Sequence, residues 1–390
     1  MAMERVSAVL ETAVETGAAA GAVALVRHRG EIVYHEARGM AAREPDTREM
    51  KPDTIFDLAS LTKPFVGATV ALALVDRGVF SLDEEVTGFL PELGNLAGKG
   101  VTFRRLLTHS SGLPGWRPLY VEAHDREGVL AAVDRLGLVT APGTRFEYSD
   151  IGFMTLGLAL ERAVDTQLDQ LAHDLVFEPL GLARTGYEPT AEPEAYASTE
   201  RGNRFEKRMA DWAGLTFDEW RTDFHPGEVN DGNAHYALGN VSAHAGLFSD
   251  AYDLGVLGEV WLNEGERDGI RVLSSAVVEE ATSDQGWIRG LGWQLMTRAA
   301  PSLAELRRAD AGFFPPARTP FTPRPSGELL TEKAYGHTGF TGTSIWIDPG
   351  REMCAVLLTN GTHPQVDIDK PINAVRARFH NAVAAALDHV

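Results

Sequence analysis

Ser60-Leu61-Thr62-Lys63-Pro64, running straight into Phe65-Val66-Gly67-Ala68-Thr69-Val70-Ala71-Leu72-Ala73-Leu74-Val75-Asp76, is the stretch from which the rest of the chain is read. Its second part is apolar on nearly every side, and a helix without a polar face belongs inside a large core. Gly78 follows as the C-terminal stop. The first part sets a hydroxyl and an amine three residues apart, neighbours on a helix with β-carbons about 5–6 Å from each other. Serine is a weak nucleophile at neutral pH and needs a base within hydrogen-bond reach. The free N–H groups of a helix start suit a developing oxyanion. By itself the pattern fits a capping serine and a surface lysine better. Pro64 cannot donate the next helical hydrogen bond and disfavours α conformation at Lys63, so a distorted turn or an irregularly held lysine is expected here.

Outward from this segment, Val6, Val9, Leu10 and Val14 form an apolar stripe at helical spacing. Ala22 to Val26 and Ile32 to Tyr34 read as a hairpin with Gly30 in its turn. Strand character returns at Thr343 to Ile347 and Cys354 to Thr359, around the turn Asp348-Pro349-Gly350, and a helix over Ile372 to Leu387 closes the chain. Between residues 80 and 330 short helical segments alternate with Gly- and Pro-containing loops, and Arg201 to Gly232 and Ala309 to Gly327 read as irregular and exposed. The expected fold class is α/β (α+β): an antiparallel sheet flanked by N- and C-terminal helices, with an inserted, mainly helical lobe. Residues 1–59 and about 240–390 would form the sheet-containing lobe, about 60–239 the helical one, with the site in the cleft between them.

Composition narrows the function. The chain has 390 residues, 44% hydrophobic and 23% charged, which is ordinary globular usage with enough apolar material for a large core. A net charge of −19, spread along the chain, repels nucleic acid and anionic membrane surfaces. No uninterrupted apolar run is long enough to suggest a membrane span, and Glu11 and Glu15 interrupt any signal-peptide core, so the expected location is cytoplasmic. The single cysteine, Cys354, sits in an apolar run and reads as a buried side chain; it allows no intrachain disulfide and no structural zinc site. Twelve histidines include no His-Glu-x-x-His, so no metal is implied. Gly94 to Gly100 lacks the spacing and the Ser or Thr of a phosphate loop, there is no Gly-x-Ser-x-Gly elbow, and no dinucleotide fingerprint follows a strand. No cofactor is expected.

Two further segments carry chemistry. Glu147-Tyr148-Ser149-Asp150 follows Pro142-Gly143 and precedes an apolar run from Ile151. A loop tyrosine relays protons when a cation such as Lys63 lowers its pKa; the simpler reading is an aromatic packed at a helix start, with Ser149 or Asp150 as N-cap. Gly336-His337-Thr338-Gly339-Phe340-Thr341-Gly342 leads into a strand, and glycines at that density let backbone pass close to a ligand. His337 and Thr338 would then hydrogen-bond it, and the N–H of Phe340 would complete an oxyanion site with that of Ser60.

Taken in order, Ser60-x-x-Lys63, Tyr148-Ser149-Asp150 and His337-Thr338-Gly339 resemble the three motifs of serine β-lactamases and penicillin-binding proteins. The resemblance is strongest to the group holding class C β-lactamases, D-alanyl-D-alanine carboxypeptidases and β-lactamase-like esterases. Leu106 to Pro114, Phe177 to Leu182, Gly246 to Ser249 and Leu291-Gly292-Trp293 look like stretches recurrent there, in the same order. The resemblance implies acyl transfer. Ser60 attacks a carbonyl, Lys63 and Tyr148 handle its proton, and water hydrolyses the acyl-enzyme; Asp150 would face the substrate's side chain, and the strand after Gly339 would line the acyl group. Two departures are visible. Asp150 stands where the group usually has Asn and cannot donate a hydrogen bond when ionised, and His337 stands where most β-lactamases have Lys and need not be charged at pH 7. Both favour an esterase or amidase of small molecules over a dedicated β-lactamase. Gly227 to Ala234, His244 to Ser249 and Leu358-Thr359-Asn360 resemble a subgroup that includes cytoplasmic muropeptide amidases. Ester, amide, β-lactam and muropeptide substrates stay open at this point, as does a non-hydrolytic sensor that is acylated without turnover.

Overall fold

The computed structural model describes residues 3–297, 324–367 and 372–388. Its main sheet has seven strands: β1 (Gly21–His28), β2 (Glu31–Ala42), β3 (Arg48–Glu49), β4 (Gln294–Leu295), β5 (Tyr335–Thr338), β6 (Ser344–Asp348) and β7 (Met353–Thr359), in the order β3-β2-β1-β7-β6-β5-β4. Every neighbouring pair is antiparallel. The first strands of the chain therefore pair with the last: Val23 lies opposite Leu358, and His28 opposite Met353. β1 and β7 are buried along their whole length, which is why both read as unbroken apolar runs rather than alternating ones.

Alternation sorts their side chains to two cores. Val23, Leu25, Ile345, Ile347, Cys354, Val356 and Leu358 belong to the larger one, with the buried helices. Ala22, Ala24, Val26, Trp346, Met353, Ala355 and Leu357 meet Val6 and Leu10 of α1 (Glu4–Glu15) and Val375, Phe379 and Val383 of α6 (Ile372–Leu387) on the opposite face. On the first face lies α5 (Ala251–Leu262), brought close by two glycines; a β-carbon on Gly258 would stand 2.2 Å from the Cys354 sulfur. Arg27 and Glu259 pair across this contact at 3.0 Å, both buried.

The segment from Ala59 to Asp76 is helical in three modes: a 3₁₀ turn (Ala59–Leu61), a π turn (Lys63–Ala68) and the α-helix α2 (Thr69–Asp76). The distortion falls where Pro64 removes a donor; its carbonyl accepts from the Thr69 hydroxyl at 2.8 Å. By length and composition this segment is apolar enough to cross a membrane, yet 83% of it is buried inside the protein, so its apolar surface is spent on the core.

Arg201 to Gly232 departs from its sequence reading. It contains an amphipathic helix, α4 (Arg204–Trp212), with Glu206, Met209 and Ala210 buried, and Asn230 is buried as well. Its charged residues, Arg204, Lys207, Arg208 and Asp211, mask the short apolar face in the sequence. Of Ala309 to Gly327, the part up to residue 323 lies outside the described residues.

Candidate active site

Ser60 sits on the first helical turn behind the short pairing of Phe56–Asp57 with Phe248–Ser249. Ala59 holds a left-handed φ of 48°, uncommon for a residue with a β-carbon, and the Asp57 carboxylate accepts its N–H at 2.8 Å. Three residues on, the Lys63 ammonium lies 3.0 Å from Ser60 Oγ and 3.0 Å from the carbonyl of His244. Its third contact is the Asp150 carboxylate, at 2.6 Å. Lys63 is wholly buried. Burial favours its neutral form, but the charge of Asp150 and the nearby Tyr148 outweigh it and hold the amine above its ordinary pKa. It therefore enters the site as an ammonium.

Tyr148 is held from three sides. Its ring lies 5.0 Å from Lys63 Nζ and packs against the imidazole of His109 at 4.4 Å between centroids. The residues on either side of it are clamped: Glu147 N–H donates to the His109 carbonyl at 2.8 Å, and Ser149 N–H to His109 Nδ1 at 3.0 Å. Ser149 is the N-cap of α3 (Asp150–Val164), accepting from Gly152 N–H at 2.8 Å while its hydroxyl donates to the Pro114 carbonyl at 2.6 Å. Asp150 is the first residue of that helix.

The third segment lies directly over the first. Thr341 Oγ1 donates to the Asp57 carbonyl at 2.7 Å and Thr343 Oγ1 to that of Leu58 at 3.0 Å. A β-carbon on Gly339 would meet the Leu58 oxygen at 2.4 Å, so only glycine permits this approach. Arg376 of α6 braces the turn from behind, donating to the carbonyls of Gly339 at 2.6 Å and Thr343 at 2.9 Å. The N–H groups of Ser60 and Phe340 donate to no other group among the described residues, which leaves both for a ligand oxygen.

Ser60, Tyr148, Asp150, Thr338, Gly339 and Phe340 all line one cavity of about 520 Å³, with Lys63 directly beneath Ser60. Two residues differ from their sequence readings. Asp150 lies in the wall, but its carboxylate serves as counter-ion to Lys63 instead of being held free for a substrate side chain. His337 is buried behind Tyr148, at 6.0 Å between ring centroids, and its Nδ1–H donates to the Thr338 carbonyl at 2.8 Å. Alternation along β5 explains this: His337 shares the face of Tyr335, so Thr338 is the one that reaches the cavity. Burial, with Lys63 and Arg289 nearby, pushes the His337 imidazole well below its usual pKa and keeps it neutral.

The sequence reading missed the far wall, formed by Glu206, Asn230, Asp231 and His244. His244 Nε2 meets Asp231 Oδ1 at 2.9 Å and its Nδ1 meets Ser242 Oγ at 2.7 Å. Burial disfavours the Asp231 charge, but His244 and Lys63 hold it below its ordinary pKa. Burial, then repulsion from Asp231, pushes Glu206 up to about 8. The only signal had been the Asn230-Asp231 and His244 stretches, which suggested a subgroup rather than a wall. Among the described residues, His173, Asp174 and Glu178 are the only side chains clustered as metal ligands would be, and all three are exposed.

A family model described as Beta-lactamase matches residues 6–378. The chain belongs to the Beta-lactamase family. It is 30% identical over 378 residues to the N-acetylmuramyl-L-alanine amidase of Bacillus subtilis (strain 168), covering 90% of this chain and 80% of that protein. It is 29% identical over 367 residues to a protein of Escherichia coli (strain K12) named as a putative D-alanyl-D-alanine carboxypeptidase, covering 88% and 78%. Among solved structures, the hydrolase EstCE1, described as having promiscuous acyltransferase activity, superposes with a TM-score of 0.71 at 22% identity over 98% of both chains, a likeness of fold. The Beta-lactamase family is one of serine hydrolases, typically working through an acyl-enzyme, so this chain is a hydrolase of that kind.

Proposed function

We propose that the protein hydrolyses a small amide or ester through an acyl-enzyme on Ser60. The observation that carries this reading is the 3.0 Å contact between Lys63 Nζ and Ser60 Oγ beneath a ligand-sized cavity. In this reading Ser60 attacks the carbonyl carbon while the N–H groups of Ser60 and Phe340 receive the oxyanion. Lys63, already charged, stabilises the alkoxide. The serine proton passes to Lys63, beside Tyr148, as Lys63 gives up one of its own to the Asp150 carboxylate 2.6 Å away, and Lys63 returns a proton to the leaving group. Water then repeats the cycle on the acyl-enzyme.

A second reading, a muropeptide amidase, is favoured by the amidase relative in Bacillus subtilis. Weak β-lactamase activity is disfavoured by the neutral His337, which supplies no cation for a substrate carboxylate. Cytoplasmic action belongs to the same proposal and is checked by cell fractionation. The test of the chemistry is a burst of nitrophenol from p-nitrophenyl butyrate, with a transient acyl adduct on Ser60 by mass spectrometry. Ser60→Ala abolishes both; equal turnover by that variant removes Ser60 as nucleophile. A persistent adduct without turnover would identify an acylated sensor instead. N-acetylmuramyl-L-alanyl peptides and nitrocefin, offered alongside, rank the substrate classes.

A further inference from the structure

Asp57 lies three residues before the nucleophile and is only 3% exposed, so its contacts are made out of reach of water. One carboxylate oxygen accepts the Ala59 N–H at 2.8 Å, and the other accepts the Asn230 N–H at 2.7 Å. Its backbone carbonyl accepts from Thr341 Oγ1 at 2.7 Å, which ties the turn above Ser60 to the same residue. From Asn230 the connection runs on to the base. The neighbouring Asp231 meets the His244 imidazole at 2.9 Å, and the His244 carbonyl receives the Lys63 ammonium at 3.0 Å. The ring closes through the turn that carries both Ser60 and Lys63.

Ala59 is the strained link of this ring. Its φ of 48° is left-handed, a conformation that costs a residue with a β-carbon more than it costs glycine. Relaxation to a negative φ would turn the Ala59–Ser60 peptide, and with it the Ser60 N–H that the oxyanion needs. The Asp57 carboxylate opposes this by holding the Ala59 N–H, while the Asn230 N–H holds the carboxylate in turn. Both bonds together require an ionised carboxylate. A neutral acid or an amide has one good acceptor oxygen and turns its own donor toward the second N–H. Burial pushes Asp57 up to about 6 against the pull of its two N–H donors; of the charged groups facing it, Asp231 raises the value and Arg221 lowers it. The group is therefore ionised at pH 7 and largely neutral by pH 5.

We propose that Asp57 is a positioning residue for acylation, its carboxylate locking the strained turn on which the Ser60 hydroxyl and N–H face the cavity. It touches no substrate and acts through Ala59 and Asn230. This rests on Ser60 being the nucleophile.

The experiment follows the nitrophenol burst from p-nitrophenyl butyrate at the wavelength where nitrophenol and nitrophenolate absorb equally. The burst amplitude counts intact sites, and its rate constant reports acylation at each of them. Asp57→Asn lowers the rate constant at least about thirtyfold, with half-saturation within about threefold, the signature of a misaimed nucleophile. Adding Ala59→Gly, which removes the strain, raises that rate constant at least about fivefold more than the same change does in the wild type. A merely structural role lowers the amplitude and leaves the rate constant per site unchanged; that result, or a rate constant that Ala59→Gly fails to restore, overturns the proposal. If Asp57→Asn does not fold, the wild type and Ala59→Gly decide. Between pH 7 and 5 the wild-type rate constant falls about tenfold around a midpoint near pH 6 while the amplitude holds, and in Ala59→Gly it falls less than about threefold. A flat wild-type profile, or an equal fall in Ala59→Gly, overturns the proposal. Absence of a burst in the wild type at pH 7, or its survival in Ser60→Ala, would instead overturn the reading of Ser60.

Discussion

Replacing Lys63 by Met, Asp150 by Asn, and both together tests whether the amine beneath the nucleophile is held as a cation. At 2.6 Å the gross attraction of the pair is about 6 kcal/mol for an effective dielectric of about 20. Much of this repays the cost of burying Lys63, which has no exposed side-chain surface, while Asp150 keeps 19% of its own exposed and is partly screened. Lys63→Met leaves a carboxylate facing an apolar tail, at a cost of about 3 kcal/mol, near the low end for a broken buried pair because of that exposure. Asp150→Asn leaves the ammonium with only neutral acceptors, Ser60 Oγ, the His244 carbonyl and the amide oxygen, at about 2 kcal/mol. The double variant removes both charges and loses chiefly the hydrogen bonds to Ser60 and His244, about 1.5 kcal/mol instead of the sum of about 5. The cycle thus contains a coupling of about 3–4 kcal/mol, read from urea denaturation midpoints at pH 7 with unchanged slopes. Both variants lacking Lys63 fail to hydrolyse p-nitrophenyl butyrate, although the double variant is the more stable of the two. Additive losses, within about 0.5 kcal/mol, would falsify the ion pair and with it the claim that Lys63 starts the reaction protonated.

Two other expectations concern the scaffold. Gly258→Ala drives a methyl into the Cys354 sulfur on the sheet face of α5 and destabilises by about 1–3 kcal/mol; combined with Cys354→Ala it is no worse than Cys354→Ala alone, and an equal penalty with or without the sulfur refutes the close approach. His380 on α6 is buried and, by burial and then the charge of Arg376, held down at about 3, whereas the unfolded chain takes up its proton near pH 6.5. The native state binds fewer protons in that window, so stability falls as pH drops from about 6.5 toward 3, by up to about 1.4 kcal/mol per pH unit for this group. Melting temperatures at pH 7, 6 and 5 decline less steeply in His380→Gln than in the parent, and parallel slopes contradict the assignment.

Much of the scaffold was legible because its signals are local. The stripe of Val6, Val9, Leu10 and Val14 became α1, and the unbroken apolar runs became β1 and β7, the strands covered on both faces. The helix over Ile372–Leu387 was read at its observed bounds. Pro64 announced a distorted turn, which is the π turn that carries Lys63. Ser60, Lys63 and Tyr148 were singled out by the resemblance of their ordered motifs to the serine β-lactamase group, because each motif alone fits a cap or a packed aromatic; the structure sets Lys63 3.0 Å from Ser60 and 5.0 Å from the Tyr148 ring.

What the chain order left undetermined was which groups those three would meet. Asp150 reads equally as a cap, a substrate contact or a counter-ion until Lys63 is seen to end 2.6 Å away. Whether His337 or Thr338 reaches the cavity depends on the register of β5 against β6, and a one-residue slip would exchange them. The acidic wall joins Glu206 on a short helix, Asn230 and Asp231 on a loop, and His244 on another, with Asp57 tying the loop back to the nucleophile. Local patterns record the faces of helices and strands because backbone geometry repeats every few residues. The charge environment of a buried group is set by neighbours far along the chain, and it exists only once packing has excluded water from between them.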